Sequence, residues 1–375
     1  MASSEGLAGI VVGDSGISTV GQGLGLSYRG HSIEELSSYC SFEQVAYLLL
    51  EGSLPTGEQL QDFTKKMNKE ANNIEGLKPV LREMPCDLDP MDAIHAIVML
   101  ASSSLPECSE FSNQKAVALR ILAVLTPCLL FWYHRAKSGL ETDVRVQDGE
   151  SIAAQFLRLL KLKPASKEEI RALDVCLILY AEHEFNASTF AARVCASTLS
   201  DAYSCVAAAI GTLKGRLHGG ANEASSAYLQ KLKSISDADK FLDENFKNKH
   251  LIMGFGHRVY KKGDPRHPIV REVSAALSRG PQGMPALQKL GEHIERRMVE
   301  EKKIPPNLDF FASILFTQLR IPRDLATPVF VLSRTSGWLA HIIEQRSKNK
   351  LIRPLSKYTG PVNRPLPPYI MQPKL

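Results

Sequence analysis

The sequence predicts an all-α protein, and three observations carry that expectation. Helix-starting boxes recur: Ser32-Ile33-Glu34-Glu35, Ser41-Phe42-Glu43-Gln44 and Ser166-Lys167-Glu168-Glu169. Each sets a serine ahead of a glutamate or glutamine three positions on, a pair that satisfies free N–H groups of a first helical turn. Apolar residues then return at helical spacing, as in Val45, Leu48 and Leu49, or Ile170, Leu173, Leu177, Ile178 and Ala181. No long run alternates apolar with polar residues, as a half-buried strand would.

Taken in order, the chain opens on a glycine-rich stretch (Gly13, Gly16, Gly21, Gly23, Gly25, Gly30). Short β turns ahead of the helical body are expected there. A phosphate loop would need a strand-then-helix frame and a following Gly-Lys-Ser/Thr, and neither is present. Helices are expected from about residue 32, with Leu54-Pro55-Thr56 ending one and opening the next. The alanine-rich stretch from Ala187 to Leu213 reads as closely packed helices. Breaks fall at 107–114, 139–149, 279–285, Pro305-Pro306 and the proline-rich tail after Gly360.

The chain has 375 residues, 44% hydrophobic and 23% charged, the composition of a soluble globular protein long enough for two domains. No run of about 18 apolar residues suggests a membrane span. The start, Met1-Ala2-Ser3-Ser4-Glu5-Gly6, lacks a basic region followed by an apolar stretch, so a cytoplasmic location is expected. The net charge of +5 is spread along the chain without a block of like charges, which argues against a nucleic-acid partner. Seven cysteines are present and no two have Cys-x-x-Cys spacing, so buried free thiols are expected, with no zinc knuckle and no metal.

Four segments put chemically active groups in apolar or glycine-rich surroundings. The first, Tyr180-Ala181-Glu182-His183-Glu184-Phe185-Asn186, ends an apolar stripe, which carries His183 and Glu184 toward the interior. A lone histidine there is more often structural than catalytic. The second is Leu217-His218-Gly219-Gly220-Ala221-Asn222-Glu223, whose glycines let a backbone or ligand come close. A helix beginning near Ala221 would aim free N–H groups at an anion. The third runs from Met253-Gly254-Phe255-Gly256-His257-Arg258 to Asp264-Pro265-Arg266-His267 and suits phosphate or carboxylate recognition, although a basic surface turn reads the same way. In the fourth, Asn307-Leu308-Asp309-Phe310-Phe311, an acid among apolar neighbours suits a general base, the alternative being a helix cap.

In this order the motifs resemble the citrate synthase family. Ser333-Arg334-Thr335-Ser336-Gly337-Trp338-Leu339-Ala340-His341 and Ile352-Arg353-Pro354 extend the resemblance, which covers nearly the whole chain. Within the family the chain is similar to the 2-methylcitrate synthases. The resemblance implies a large helical domain (1–214 with 321–375) into which a smaller helical domain (215–320) is inserted. It implies condensation of propionyl-CoA with oxaloacetate and water, with side activity on acetyl-CoA; citrate formation from acetyl-CoA is the alternative, and a non-catalytic helical scaffold a remote one. Asp309 would be the base, His218 would hold the thioester oxygen and His257 would polarise the ketone. His183, Arg266, Arg334 and Arg353 would bind oxaloacetate, Arg353 from the other subunit of a homodimer with shared sites. Leu251, Ile252, Met253, Gly254 and Phe255 would cradle CoA, with Arg258 and Lys261 on its phosphates. Tyr180 and Leu308 would line the acyl pocket. No cofactor is implied, because the CoA thioester is a substrate. One departure stands out: the family usually carries His-Pro-Met where this chain has Asp89-Pro90-Met91, and often an arginine where it has His95.

Overall fold

The computed structural model describes residues 5–7, 9–20 and 25–367. Met1 to Ser4, Gly21, Gly23 and the end of the tail, on which parts of the sequence reading rest, lie outside the described residues. Among those described, sixteen α-helices carry the fold, with one small antiparallel sheet. The all-α expectation holds.

The sheet occupies the glycine-rich opening, where only turns were expected. Its strands β1 (Ser18–Val20), β2 (Leu26–Tyr28) and β3 (His31–Ser32) pair in chain order. They are too short to show alternation in sequence. The sheet is pinned by Tyr28, wholly buried, whose hydroxyl donates to the carbonyls of Ile178 and Glu182 at 3.1 Å each.

Helices α1 (Ile33–Tyr39), α2 (Phe42–Glu51) and α3 (Gly57–Asn72) follow, and Ser41 and Thr56 form full capping boxes with Gln44 and Gln59. Next come α4 (Lys78–Glu83), α5 (Pro90–Ala101), α6 (Gln114–Ser138), α7 (Ile152–Lys161) and α8 (Lys167–Tyr180), the last opened by the Ser166–Glu169 box. Asp89, at the position where the resembled family carries histidine, caps α5, its carboxylate accepting the Met91 N–H at 2.8 Å. By length and composition α6 could cross a membrane, but 89% of its most apolar 18-residue window is buried inside the fold. Arg120 and Pro127 interrupt the apolar run in sequence. The buried Arg120 guanidinium bonds to the carbonyls of Glu70 and Asn73 and to Ser104.

The alanine-rich stretch forms α9 (Ala187–Ser197) and α10 (Ala202–Leu213), packed on each other. Asn186, in a sequence that reads as a glycosylation acceptor, caps α9. Helices α11 (Ala221–Leu229), α12 (Ile235–Lys247), α13 (Arg266–Ser278), α14 (Pro285–Arg297) and α15 (Leu308–Gln318) form a second group, with α11, α13 and α14 packed on α15. The last helix, α16 (Ala326–Ser347), is buried from Ala326 to Ile342 and lies against α2, α6, α8, α9 and α10. Contacts of α13 with α8 and of α11 with α16 join the two groups. The cysteines differ from expectation: Cys128, Cys176 and Cys205 are buried, Cys40 and Cys195 partly so, and Cys86 and Cys108 exposed.

Candidate active site

The end of α8 supplies the first wall. Tyr180 is its last residue, and the chain then turns into the Asn186 cap of α9. His183 is buried, as expected, but Glu184 points outward, its backbone in the left-handed region at φ 52°. The buried acid is instead Glu182, which accepts from Ser18 Oγ at 3.0 Å and from His341 Nε2 at 2.9 Å. Arg193 Nη1 donates to His341 Nδ1 at 3.0 Å, so the ring proton sits on Nε2, facing Glu182. Burial works against the Glu182 charge; His341 and Arg334 outweigh it and keep the carboxyl below its usual range.

The second wall is the 254–266 loop. It is zipped to the segment before α15 by Gly256 N–H to Pro305 O (2.8 Å) and Asn307 N–H to Gly254 O (2.9 Å). Gly254 permits this: its φ is 91°, and a Cβ there would come within 2.7 Å of Ser225 Oγ and 3.0 Å of Phe310 Cβ. His257 Nδ1 accepts the backbone N–H groups of Val259 (3.1 Å) and Tyr260 (3.2 Å). Its proton therefore resides on Nε2. Burial, with Arg266 nearby, pulls His257 down to about 4, so the ring is neutral at pH 7. Tyr260 joins the two histidines: its hydroxyl is 3.1 Å from His183 Nε2 and its ring centroid 4.7 Å from that of His257. His183 is also held neutral, by burial and then by Arg266, Arg334 and His257. Arg266 opens α13 in a bidentate pair with Asp264, at 2.9 and 2.8 Å, and Asp264 also accepts the Leu308 N–H at 3.1 Å.

The third wall joins α15, α11 and α16. Asn307, not Asp309, caps α15, accepting the Asp309 N–H at 3.0 Å. This leaves the Asp309 carboxylate free of capping. Tyr180 donates to Asp309 Oδ1 at 2.5 Å, and Asn222 Nδ2 donates to the Tyr180 hydroxyl at 3.2 Å. Burial raises the Asp309 carboxyl, and the Tyr180 hydrogen bond partly offsets that. His218 lies ahead of α11, and its Nε2 is 2.8 Å from Ser188 Oγ and 3.3 Å from the Ser188 N–H. Burial and Arg334 draw it down to about 4. Gly219 does admit a close approach, but of the chain's own backbone: its N–H bonds to Leu213 O at 2.9 Å. Arg334 is buried, donates Nε to Tyr180 O at 2.5 Å and lies over the Phe330 ring, 4.7 Å from its centroid. That ring also meets Tyr180 (4.5 Å) and His218 (6.5 Å).

Tyr180, His183, His218, His257, Arg266, Asp309 and Arg334 thus gather around one centre of two guanidinium groups, three neutral imidazoles and one raised carboxyl. Such a set can hold a dicarboxylate, hydrogen-bond two oxygens and accept a proton from carbon. Leu308 is buried beside Asp309. Arg258 is exposed, Lys261 bonds to the His257 carbonyl at 3.5 Å, and Leu251 projects outward at 91% exposure, with Ile252 and Gly254 buried behind it. Arg353 is not brought to this centre: it is exposed and takes part in none of the described hydrogen bonds or ion pairs. The sequence reading missed Ser188, Asn222, Tyr260 and Asp264. Asp264, Asn222 and Tyr260 stand inside the segments singled out in sequence, and Ser188 adjoins one, but nothing local marked their contacts.

The family model described as citrate synthase, C-terminal domain, matches residues 6–355. The chain belongs to the citrate synthase family. It is 44% identical to the 2-methylcitrate synthase of Shewanella oneidensis over 95% of this chain and 94% of that one. It is 39% identical to citrate synthase 2 of Bacillus subtilis, over 96% and 97%. Among solved family structures, the ternary complex of Thermoplasma acidophilum citrate synthase with carboxymethyl coenzyme A and oxaloacetate superposes with a TM-score of 0.89, at 32% identity, covering 98% of both chains.

Proposed function

We propose that this protein condenses propionyl-CoA with oxaloacetate and water to give 2-methylcitrate and CoA, and uses acetyl-CoA as a poorer substrate. The observation that carries the reading is the raised Asp309 carboxyl sharing one centre with neutral His218 and His257, backed by Arg266 and Arg334. In this reading Arg266, Arg334 and His183 bind the two carboxylates of oxaloacetate. His218, proton on Nδ1, donates to the thioester oxygen while Asp309 takes the α-proton. The carbanion carbon attacks the ketone, and the oxygen formed there is protonated from His257 Nε2. Water then cleaves the thioester. CoA lies along Leu251–Phe255 with Arg258 and Lys261 on its phosphates.

The reading extends to two bodies, 1–214 with 321–375 and 215–320, which close over the substrates and exclude water. It includes a cytoplasmic homodimer in which Arg353 enters the neighbouring site. Identity to the Shewanella enzyme favours propionyl-CoA, and identity to the Bacillus enzyme keeps citrate formation as the second reading. The test is CoA release from each thioester, with product mass measured. Oxaloacetate-dependent release is expected with both, and none with either would return the chain to a binding or scaffold role.

A further inference from the structure

We infer that Tyr180 and Asn222 are positioning residues for the base: a directed hydrogen-bond chain, Asn222 to Tyr180 to Asp309, commits Oδ1 and leaves Oδ2 as the oxygen that takes the proton. The inference rests on the proposed reading of Asp309 as the base.

Tyr180 is held at four points. Its backbone carbonyl accepts from Arg334 Nε at 2.5 Å, and its ring lies 4.5 Å from that of Phe330. Its hydroxyl donates to Asp309 Oδ1 at 2.5 Å and accepts from Asn222 Nδ2 at 3.2 Å. The direction is fixed by chemistry: an amide NH₂ can only donate, so the hydroxyl proton is free to point at the carboxylate. Asn222 is itself 2% exposed, and among the described residues its Oδ1 has no hydrogen-bond partner, so the Nδ2 bond to Tyr180 is the one its side chain makes there. In the reacting step the substrate C–H bond breaks, its electron pair passes into the enolate, and the proton goes to Oδ2. The hydrogen bond on Oδ1 restricts carboxylate rotation and keeps that oxygen from competing.

The test is Tyr180→Phe, which keeps the ring against Phe330, with Asn222→Ala and the double variant; melting curves establish that each is folded. Asp309 protonation is followed by infrared difference spectroscopy against Asp309→Asn, a readout independent of turnover. Loss of the hydroxyl should move the Asp309 midpoint to higher pH, because a donor to the charged form is gone. Where CoA release is measured, kcat should fall about tenfold or more with the oxaloacetate Kd unchanged, and its acid limb should move to higher pH. The double variant should be no slower than Tyr180→Phe, since Asn222 acts through the tyrosine. An unmoved Asp309 midpoint in Tyr180→Phe overturns the inference, as does a further loss of kcat in the double variant. A moved midpoint in a protein releasing CoA from neither thioester would support the hydrogen-bond chain and overturn the proposed function instead.

Discussion

His218 Nε2 faces Ser188 twice, with Oγ at 2.8 Å and the backbone N–H at 3.3 Å. A backbone N–H can only donate, so Nε2 is an acceptor and the neutral ring carries its proton on Nδ1. Trp338 Nε1 donates to the same Ser188 Oγ at 3.2 Å, and Asn186 Oδ1 accepts from that hydroxyl at 2.8 Å, so the backbone N–H is what decides the tautomer. The donor assigned to the thioester oxygen is thereby set by the start of α9. Ser188→Ala removes one of the two restraints and should lower kcat about tenfold, with little change in oxaloacetate affinity. Steady-state kinetics alongside calorimetric binding check this, and an unchanged kcat would detach Ser188 from the reaction.

Acid should destabilise the protein through its histidines. Burial, reinforced by Arg334 for His218 and Arg266 for His257, draws both from an ordinary value of 6.5 to about 4. The unfolded chain therefore binds these protons first as pH falls. Their contribution to stability is complete above about 6.5 and is lost between about 6.5 and about 4. Asp309 works the other way, since its raised carboxyl favours the protonated folded state on acidification. Tm measured across this window should fall for the wild type and fall less steeply for His218→Gln with His257→Gln. Equal slopes would show that the two rings titrate normally.

The exposed Arg353 yields a test of the proposed homodimer and its shared site. Asp309→Asn alone should reduce turnover by about 10²–10⁴-fold, because an amide cannot accept the proton. Arg353→Ala alone should weaken oxaloacetate binding. Mixed dimers of the two variants would contain one site with both residues intact, and so should recover part of the activity. If dimers shown by mass to be mixed recover nothing, Arg353 serves no neighbouring site.

Much of this was legible in sequence because it rests on local rules. The capping boxes read at Ser41 and Ser166 depend only on residues three apart and form in full, while Ser32 caps α1 through the Glu35 N–H without the return bond to its own backbone. His218, His257 and Asp309 stood out because reactive groups beside glycines or phenylalanines are unusual. What stayed hidden depends on contacts between distant segments. Nothing near Tyr260 in sequence shows that its hydroxyl meets His183, 77 positions away. Nothing near Glu182 marks it, rather than Glu184, as the buried acid, because that is decided by His341 on α16. The three-stranded sheet was missed because strands of two or three residues cannot display a period.

If Asp309 is the base as proposed, acyl-chain selectivity should depend on the wall beside it. Propionyl-CoA and acetyl-CoA differ by one methylene, and burying it is worth about 0.8 kcal/mol. A fitted pocket raises such discrimination to about 1–3 kcal/mol, so both thioesters should react. Tyr180 is clamped by Phe330, Arg334 and Asp309, and Leu308, next to Asp309 in sequence, is 1% exposed. A fixed aromatic edge gives the extra methyl group a definite contact, whereas a mobile one would relax around either chain. We expect kcat/KM for propionyl-CoA to exceed that for acetyl-CoA by about tenfold. Tyr180→Phe keeps the edge and should preserve the ratio while lowering both rates. Tyr180→Ala removes it and should bring the two thioesters toward equality. A wild-type preference for acetyl-CoA of about tenfold or more would reverse the assignment in favour of citrate formation, and a ratio unmoved by Tyr180→Ala would take the tyrosine out of the acyl pocket.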